Sequence, residues 1–129
     1  MKITTLASIY IGSYEIYFKI QELVSKRKIR DVENIRCRLN LGPELYKDSA
    51  IDYETVDELC ERLNDLKQIS ETYRCDECRV YAGSALRHAE NKVFVLDQVK
   101  IRTGLDIRIL SNSEQKNLGY RAVSVMEDF

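Results

Sequence analysis

The stretch Ala7-Ser8-Ile9-Tyr10-Ile11-Gly12-Ser13-Tyr14-Glu15-Ile16-Tyr17-Phe18-Lys19-Ile20 decides the fold, because apolar residues recur at every second position on both sides of a Gly-Ser pair. A period of two sends successive side chains to opposite faces of a strand. The spacing therefore predicts a hairpin running from Lys2 to Leu23 and bent at Gly12. Without a β-carbon, Gly12 suits a positive φ or a close approach to a ligand, and Ser13 adds an amide and a hydroxyl. The bend reads either as a phosphate cradle or as a plain hairpin turn.

Outward from the hairpin, Ser25-Lys26-Arg27-Lys28-Ile29-Arg30 is a compact basic run, expected as the solvated end of a second hairpin. Ile35, Cys37, Leu39 and Leu41 alternate with polar residues and predict a third strand, stopped by Gly42-Pro43. A helix follows from about Tyr53 to Tyr73. Asp52 is its expected N-cap, Ile51 staples onto Val56, and Val56, Leu59, Cys60, Leu63, Leu66 and Ile69 form its apolar face. That face accounts for Cys60 as core packing. Glu54, Asp57, Glu58, Glu61 and Asp65 fall on the water side.

Arg79-Val80-Tyr81-Ala82 predicts a strand that feeds Gly83-Ser84-Ala85-Leu86-Arg87, where Arg87 offers a fork of donors to an anion. Asn91 is the expected cap of a helix that buries Val95, Leu96 and Val99 and ends at Gly104. Leu105, Ile107 and Ile109 alternate through a last strand. Ser111 and Glu114 have capping-box spacing at the start of a final helix with Leu118, Ala122 and Val125 on one side and Gln115 at its upper end.

The 129 residues, 44% hydrophobic and 32% charged, fit one soluble globular domain that buries roughly two thirds of its unfolded surface. A formal net charge of -1 argues against DNA, RNA or an anionic membrane as a partner, since phosphate backbones select strongly basic faces. The opening segment is too short and interrupted for a secretory signal and no run reaches transmembrane length, so a cytoplasmic location is expected. Cys37, Cys60, Cys75 and Cys78 are then expected as free thiols. Cys75 and Cys78 alone have ligand-like spacing, and zinc or a redox dithiol there needs partners that the fold must supply. No metal ion or other cofactor is expected for this chain alone.

The order of three strands, helix, strand, helix, strand, helix predicts an α/β domain whose mixed sheet is covered on both faces, a ribonuclease-H-like half of the actin-like ATPase superfold. With this order in view, Ile11-Gly12-Ser13, then Gly83-Ser84-Ala85-Leu86-Arg87, then Thr103-Gly104-Leu105-Asp106-Ile107-Arg108-Ile109-Leu110-Ser111-Asn112-Ser113-Glu114-Gln115 together resemble the N-terminal domain of the Ppx/GppA family, the exopolyphosphatases and guanosine pentaphosphate phosphohydrolases. The resemblance covers nearly the whole chain. It implies that residues 1–129 form an N-terminal Ppx/GppA-like domain, that a second domain with its own phosphate loop lies beyond them, and that the cleft sits between the two.

It further implies a phosphate end held by Gly12, Ser13 and Arg87, with magnesium in the full-length protein and water directed at the terminal phosphorus of inorganic polyphosphate or guanosine polyphosphate. Glu114 matches the first of the family's paired glutamates. Two departures weigh against catalysis. Tyr10 stands where the family has a magnesium-binding aspartate, and a neutral phenol does not replace a hard anionic ligand. Gln115 stands where the family has the glutamate that activates water, and loss of a positioned base costs about a hundred- to ten-thousandfold in rate. Little hydrolysis is expected from this polypeptide alone. A degenerate domain that senses phosphates without cleaving them is the competing reading, and a scaffold or homodimerisation domain is a third.

Overall fold

A computed structural model describes residues 3–25, 28–41 and 50–111. Strand β1 (Thr4–Ile11) pairs antiparallel with β2 (Glu15–Ser25), placing Tyr10 opposite Tyr17 and Ile11 opposite Ile16 across the Gly12 bend. The bend is closed by the Gly12 amide, which donates to the Glu15 carbonyl at 2.8 Å. Gly12 does not use a positive φ. A β-carbon there would lie 3.2 Å from the Glu15 carbonyl oxygen and 3.6 Å from the Tyr10 ring, so any side chain at this position would push on the hairpin's own backbone by a few tenths of an ångström.

Strand β3 (Lys28–Arg38) starts earlier and ends sooner than the alternation from Ile35 to Leu41 suggests. It pairs antiparallel with β2, with Ser25 opposite Lys28, so the basic run does flank a hairpin end. Leu39 and Leu41 keep the strand-like alternation and are buried, but their amides donate to the carbonyls of Tyr14 (2.9 Å) and Ser13 (2.7 Å). The chain after β3 is thereby sewn to the first bend. The phase of the pattern persists while the pairing partner changes.

Helix α1 (Tyr53–Thr72) starts at Asp52, whose carboxylate accepts from the Thr55 amide at 2.9 Å, as its sequence predicts. Its residues Val56, Leu59, Cys60, Leu63 and Leu66 are buried against Ala7, Ile9, Ile11, Ile16, Phe18 and Ile20 of the hairpin. Strand β4 (Glu77–Ala82) then lies parallel to β1. A reciprocal pair of bonds fixes its entry: Asp76 donates its amide to the Thr5 carbonyl, and its carboxylate accepts from the Thr5 amide.

A single turn, α2 (Ser84–Arg87), leads to α3 (Lys92–Thr103), which contributes Val95 and Val99 to the same core and ends at Gly104 with φ of 78°. Asn91 occupies the expected N-cap position, and its carbonyl accepts from the Val95 amide at 3.1 Å, but it makes no side-chain capping bond. Its side chain makes no bond to α3 and instead grips the backbone of Ile51, accepting from its amide at 3.0 Å and donating to its carbonyl at 2.9 Å. Asn91 thus ties the entrances of α1 and α3 together. Strand β5 (Ile107–Ile109) runs parallel to β4.

The sheet order is β3-β2-β1-β4-β5, mixed and flanked by helices, in the ribonuclease-H-like arrangement expected. Pairing sorts its two faces cleanly. One carries Ala7, Ile9, Ile11, Ile16, Phe18, Ile20, Val80 and Ala82 toward α1 and α3. The other carries Leu6, Ser8, Tyr10, Tyr17, Lys19, Gln21, Arg79 and Tyr81. Of these, Leu6, Ser8, Gln21 and Tyr81 are also buried. No helix among the described residues is long and apolar enough to cross a membrane. The rest of the capping box after Ser111, and the helix it would open, fall outside the described residues.

Candidate functional site at the carboxyl edge of the parallel strands

In open α/β sheets, ligands collect outside the carboxyl ends of the parallel strands, where backbone donors and loops converge. Here those ends are Ile11, Ala82 and Ile109. The Gly83 amide donates to the Ile11 carbonyl at 3.1 Å, bringing α2 beside the first bend. The Leu110 amide donates to the Ala82 carbonyl at 2.9 Å, and Arg87 reaches across to donate from Nη1 to the Leu110 carbonyl at 2.8 Å. Tyr10, Gly12, Ser13 and Arg87, separated by up to 77 positions in the chain, therefore meet at one edge.

One element of the cradle needs correction. The Gly12 amide is spent on the Glu15 carbonyl, so Gly12 shapes the bend and does not offer its N–H to a phosphate. Ser13, with its hydroxyl and amide, and Arg87, with its guanidinium, are the groups at this edge suited to an anion. Glu114 and Gln115 lie outside the described residues.

Burial pushes the Tyr10 phenol above the ordinary tyrosine value of 10.0; the nearby Arg87 charge pulls it down, and Tyr17 adds to the rise. Tyr10 is consequently a neutral hydrogen-bonding phenol at physiological pH. No group of three or more His, Cys, Asp or Glu side chains able to hold a metal occurs among the described residues. Magnesium needs hard, usually anionic oxygens in near-octahedral array, and a neutral phenol beside a guanidinium does not fit it. Cys75 and Cys78 acquire no third metal-binding partner among the described residues. Burial holds the Cys78 thiol above its ordinary value and, with Cys78 and Asp76 nearby, drives that of Cys75 up to about 11, so both stay protonated and unreactive.

The mouth of the hairpin opens a cleft of about 510 Å³ lined by Tyr10, Gly12, Ser13, Tyr14, Glu15, Tyr17, Arg38 and Asn40. The Tyr10 and Tyr17 rings lie 6.2 Å apart, tilted by 35°, and Arg36 sits over Tyr17 at 5.1 Å. Glu15 lies 3.6 Å from Arg36 and accepts a hydrogen bond from the Tyr17 hydroxyl, which holds that phenol above its ordinary value. Sequence reading passes over Tyr17, Glu15, Arg38 and Asn40 as site residues. The signal for Tyr17 was present: a hairpin bent at Gly12 sets it opposite Tyr10. Nothing local announces Arg38 or Asn40, which arrive because Leu39 and Leu41 bond to the bend.

Comparison with known proteins concerns the fold and the family. Residues 19–127 match the Ppx/GppA phosphatase family. Exopolyphosphatase 1 of Mycobacterium tuberculosis is 23% identical over 113 residues, an alignment covering 88% of this chain and 33% of that protein. The chain thus spans about a third of the length of the curated relatives it matches. Among solved structures, the Aquifex aeolicus Ppx/GppA family member superposes with a TM-score of 0.81 at 23% identity, over 89% of this chain and 37% of its own. An exopolyphosphatase from Cytophaga hutchinsonii superposes with a TM-score of 0.82 at 20% identity, over 89% and 36%. A mixed sheet in which β4 and β5 run parallel to the opening strand, and a family match over most of the length, lead to one assignment: the chain belongs to the Ppx/GppA phosphatase family.

Proposed function

We propose that residues 1–129 are the phosphate-gripping N-terminal domain of an exopolyphosphatase-related phosphohydrolase, which acts on terminal phosphoanhydrides of polyphosphate or guanosine polyphosphate. The observation that carries this reading is the convergence of the Ser13 bend and Arg87 at the carboxyl edge of β1, β4 and β5. In this role Ser13 donates to a terminal phosphate oxygen, and Arg87 spreads its charge across the others through charge-assisted bonds. The wall of the cleft opposite, the attacking water and its positioning belong to a second domain together with Glu114 and Gln115. The magnesium that the family relationship suggests for the full-length protein finds no ligand set among the described residues. This chain by itself binds and does not turn over.

Tyr10 favours a second reading. A neutral phenol at the edge where the family places an aspartate suits a domain that holds a phosphate chain without cleaving it.

Calorimetric titration with inorganic tripolyphosphate, paired with a phosphate-release assay, tests both readings. The chain is expected to bind, to release no phosphate, and to lose at least about tenfold in affinity in Arg87→Ala, the worth of a charge-assisted bond. Arg87→Lys, which keeps the charge but not the fork, should fall between. Equal binding by Arg87→Ala and the parent chain would remove Arg87 from the site. Efficient release by the chain alone would overturn the half-site reading.

A further inference from the structure

A helix that lies on a sheet buries one side and shows water a polar one. Helix α1 obeys this, with Glu54, Asp57, Glu58, Glu61 and Asp65 exposed along its outer side. Helix α3 does not. It buries Val95 and Val99 against the sheet, yet its outer side carries Val93, Phe94 and Ile101, joined through Asp97 by steps of three and four residues.

The three most exposed large apolar side chains among the described residues are Ile101, Tyr53 and Val93, at 75%, 71% and 66%. They fall together, because Tyr53 at the start of α1 meets the Phe94 ring edge-on at 5.4 Å. The clasp of Asn91 on Ile51 ties the entrances of the two helices, so the patch stands on fixed elements. Single exposed apolar residues are ordinary, whereas a contiguous set marks an interaction surface.

Charges at the margin choose the occupant. Glu54, Glu90 and Asp97 stand with Lys92 and Lys100, all exposed. A margin of one sign would repel a second copy and call for a partner of the opposite sign. A margin of both signs complements itself when turned through a two-fold axis, as an isologous interface requires. An antiparallel crossing of two α3 helices, centred between Asp97 and Gln98, sets Phe94 of one protomer against Ile101 of its partner twice over and Asp97 beside Gln98. The Lys100–Asp106 pair at 3.0 Å is exposed at both ends and gives way at little cost.

We propose that the outer side of α3, with Tyr53 of α1, is a self-association surface through which two copies of this chain form a two-fold dimer. The helices cover the sheet face opposite Tyr10 and Tyr17, so the dimer leaves the tyrosine-lined cleft free and stands independently of the phosphate reading. The patch is smaller than a permanent dimer uses, so a dissociation constant on the order of 10–100 µM is expected.

Sedimentation equilibrium of the whole chain tests it, from about 5 µM to about 1 mM. The mean mass should climb from 15.1 kDa toward twice that value. Ile101→Lys gains a helical pair with Asp97 four residues earlier, and should weaken association about tenfold or more while holding the thermal midpoint at about 5 µM within a few degrees of the parent's. Asp65→Asn, on the outer side of α1, should leave association unchanged. Asp97→Cys should give a disulfide-linked dimer under mild oxidation, with the parent's own free thiols as the control. A chain that stays monomeric at about 1 mM overturns the proposal and leaves the patch to a partner of another kind. A dimer that survives Ile101→Lys unweakened lies on another face and also overturns it, as does an Asp97→Cys chain that cross-links no faster than the parent.

Discussion

Tyr17 and Phe18 are neighbours on β2, yet they belong to two different regions of the molecule. Phe18 is fully buried among the side chains that α1 and α3 press onto the sheet, whereas Tyr17 faces the other way into an open cleft beside Arg36, Glu15 and Tyr10. The first region is closed by apolar contact, which is non-directional and tolerates no water. The second is held by a ring over a cation, a shared hydroxyl and backbone bonds from Leu39 and Leu41, and it leaves room for a guest. One residue step along a strand thus separates a packed core position from one that lines an open cleft.

That contrast breaks most easily at its apolar side. Phe18→Ala should cost about 3–5 kcal/mol in urea unfolding, since it leaves a void that the packed hairpin and helices fill only in part. Tyr17→Ala should cost about 1 kcal/mol or less, the value of an exposed ring and its cation contact. Equal costs would mean that the cleft is as much a core as the helix-covered face.

A smaller effect appears at high pH. The Tyr10 phenol has a folded pKa raised above its unfolded value, chiefly by burial, so its contribution is fully present below about pH 10 and is lost as pH rises through the folded value. Denaturation midpoints measured from pH 8 upward should stay level and then fall above about pH 10. Tyr10→Phe should reduce the fall. A variant that falls as steeply as the parent would show that Tyr10 is not the buried phenol of the cleft.

The smallest effect is expected on the outer surface of the helices, away from both regions. Arg102 pairs with Asp57 at 2.7 Å, with side chains 37% and 62% exposed. Arg102→Ala should leave the urea midpoint close to the parent's, and 1 M salt should erase any remaining difference. A larger loss would make the α1–α3 seam a third energetic region.

Much of the fold was legible because it rests on neighbours in sequence. The alternation around Gly12, the Asp52 cap and the apolar stripe of α1 are short-range patterns with short-range causes. The candidate site was legible only in pieces. Tyr10, Ser13 and Arg87 could be singled out by type and by family resemblance, but the diversion of the Gly12 amide to Glu15 could not. Asn91 shows the same limit: its type and position fit a cap, and a partner 40 positions away claimed its side chain instead.

The sequence by itself determined the opening hairpin, the start of α1 at Asp52 and the end of α3 at Gly104, since periodicity, capping and a positive φ act within a few residues. Only the tertiary structure decided that β4 lies parallel to β1, that Arg87 reaches the Leu110 carbonyl, and that Arg38 and Asn40 join Tyr10, Tyr14 and Tyr17 around one cleft. Those arrangements depend on pairing between distant strands and on which face buries the most apolar surface. Both are properties of the whole packed chain, which no single stretch encodes.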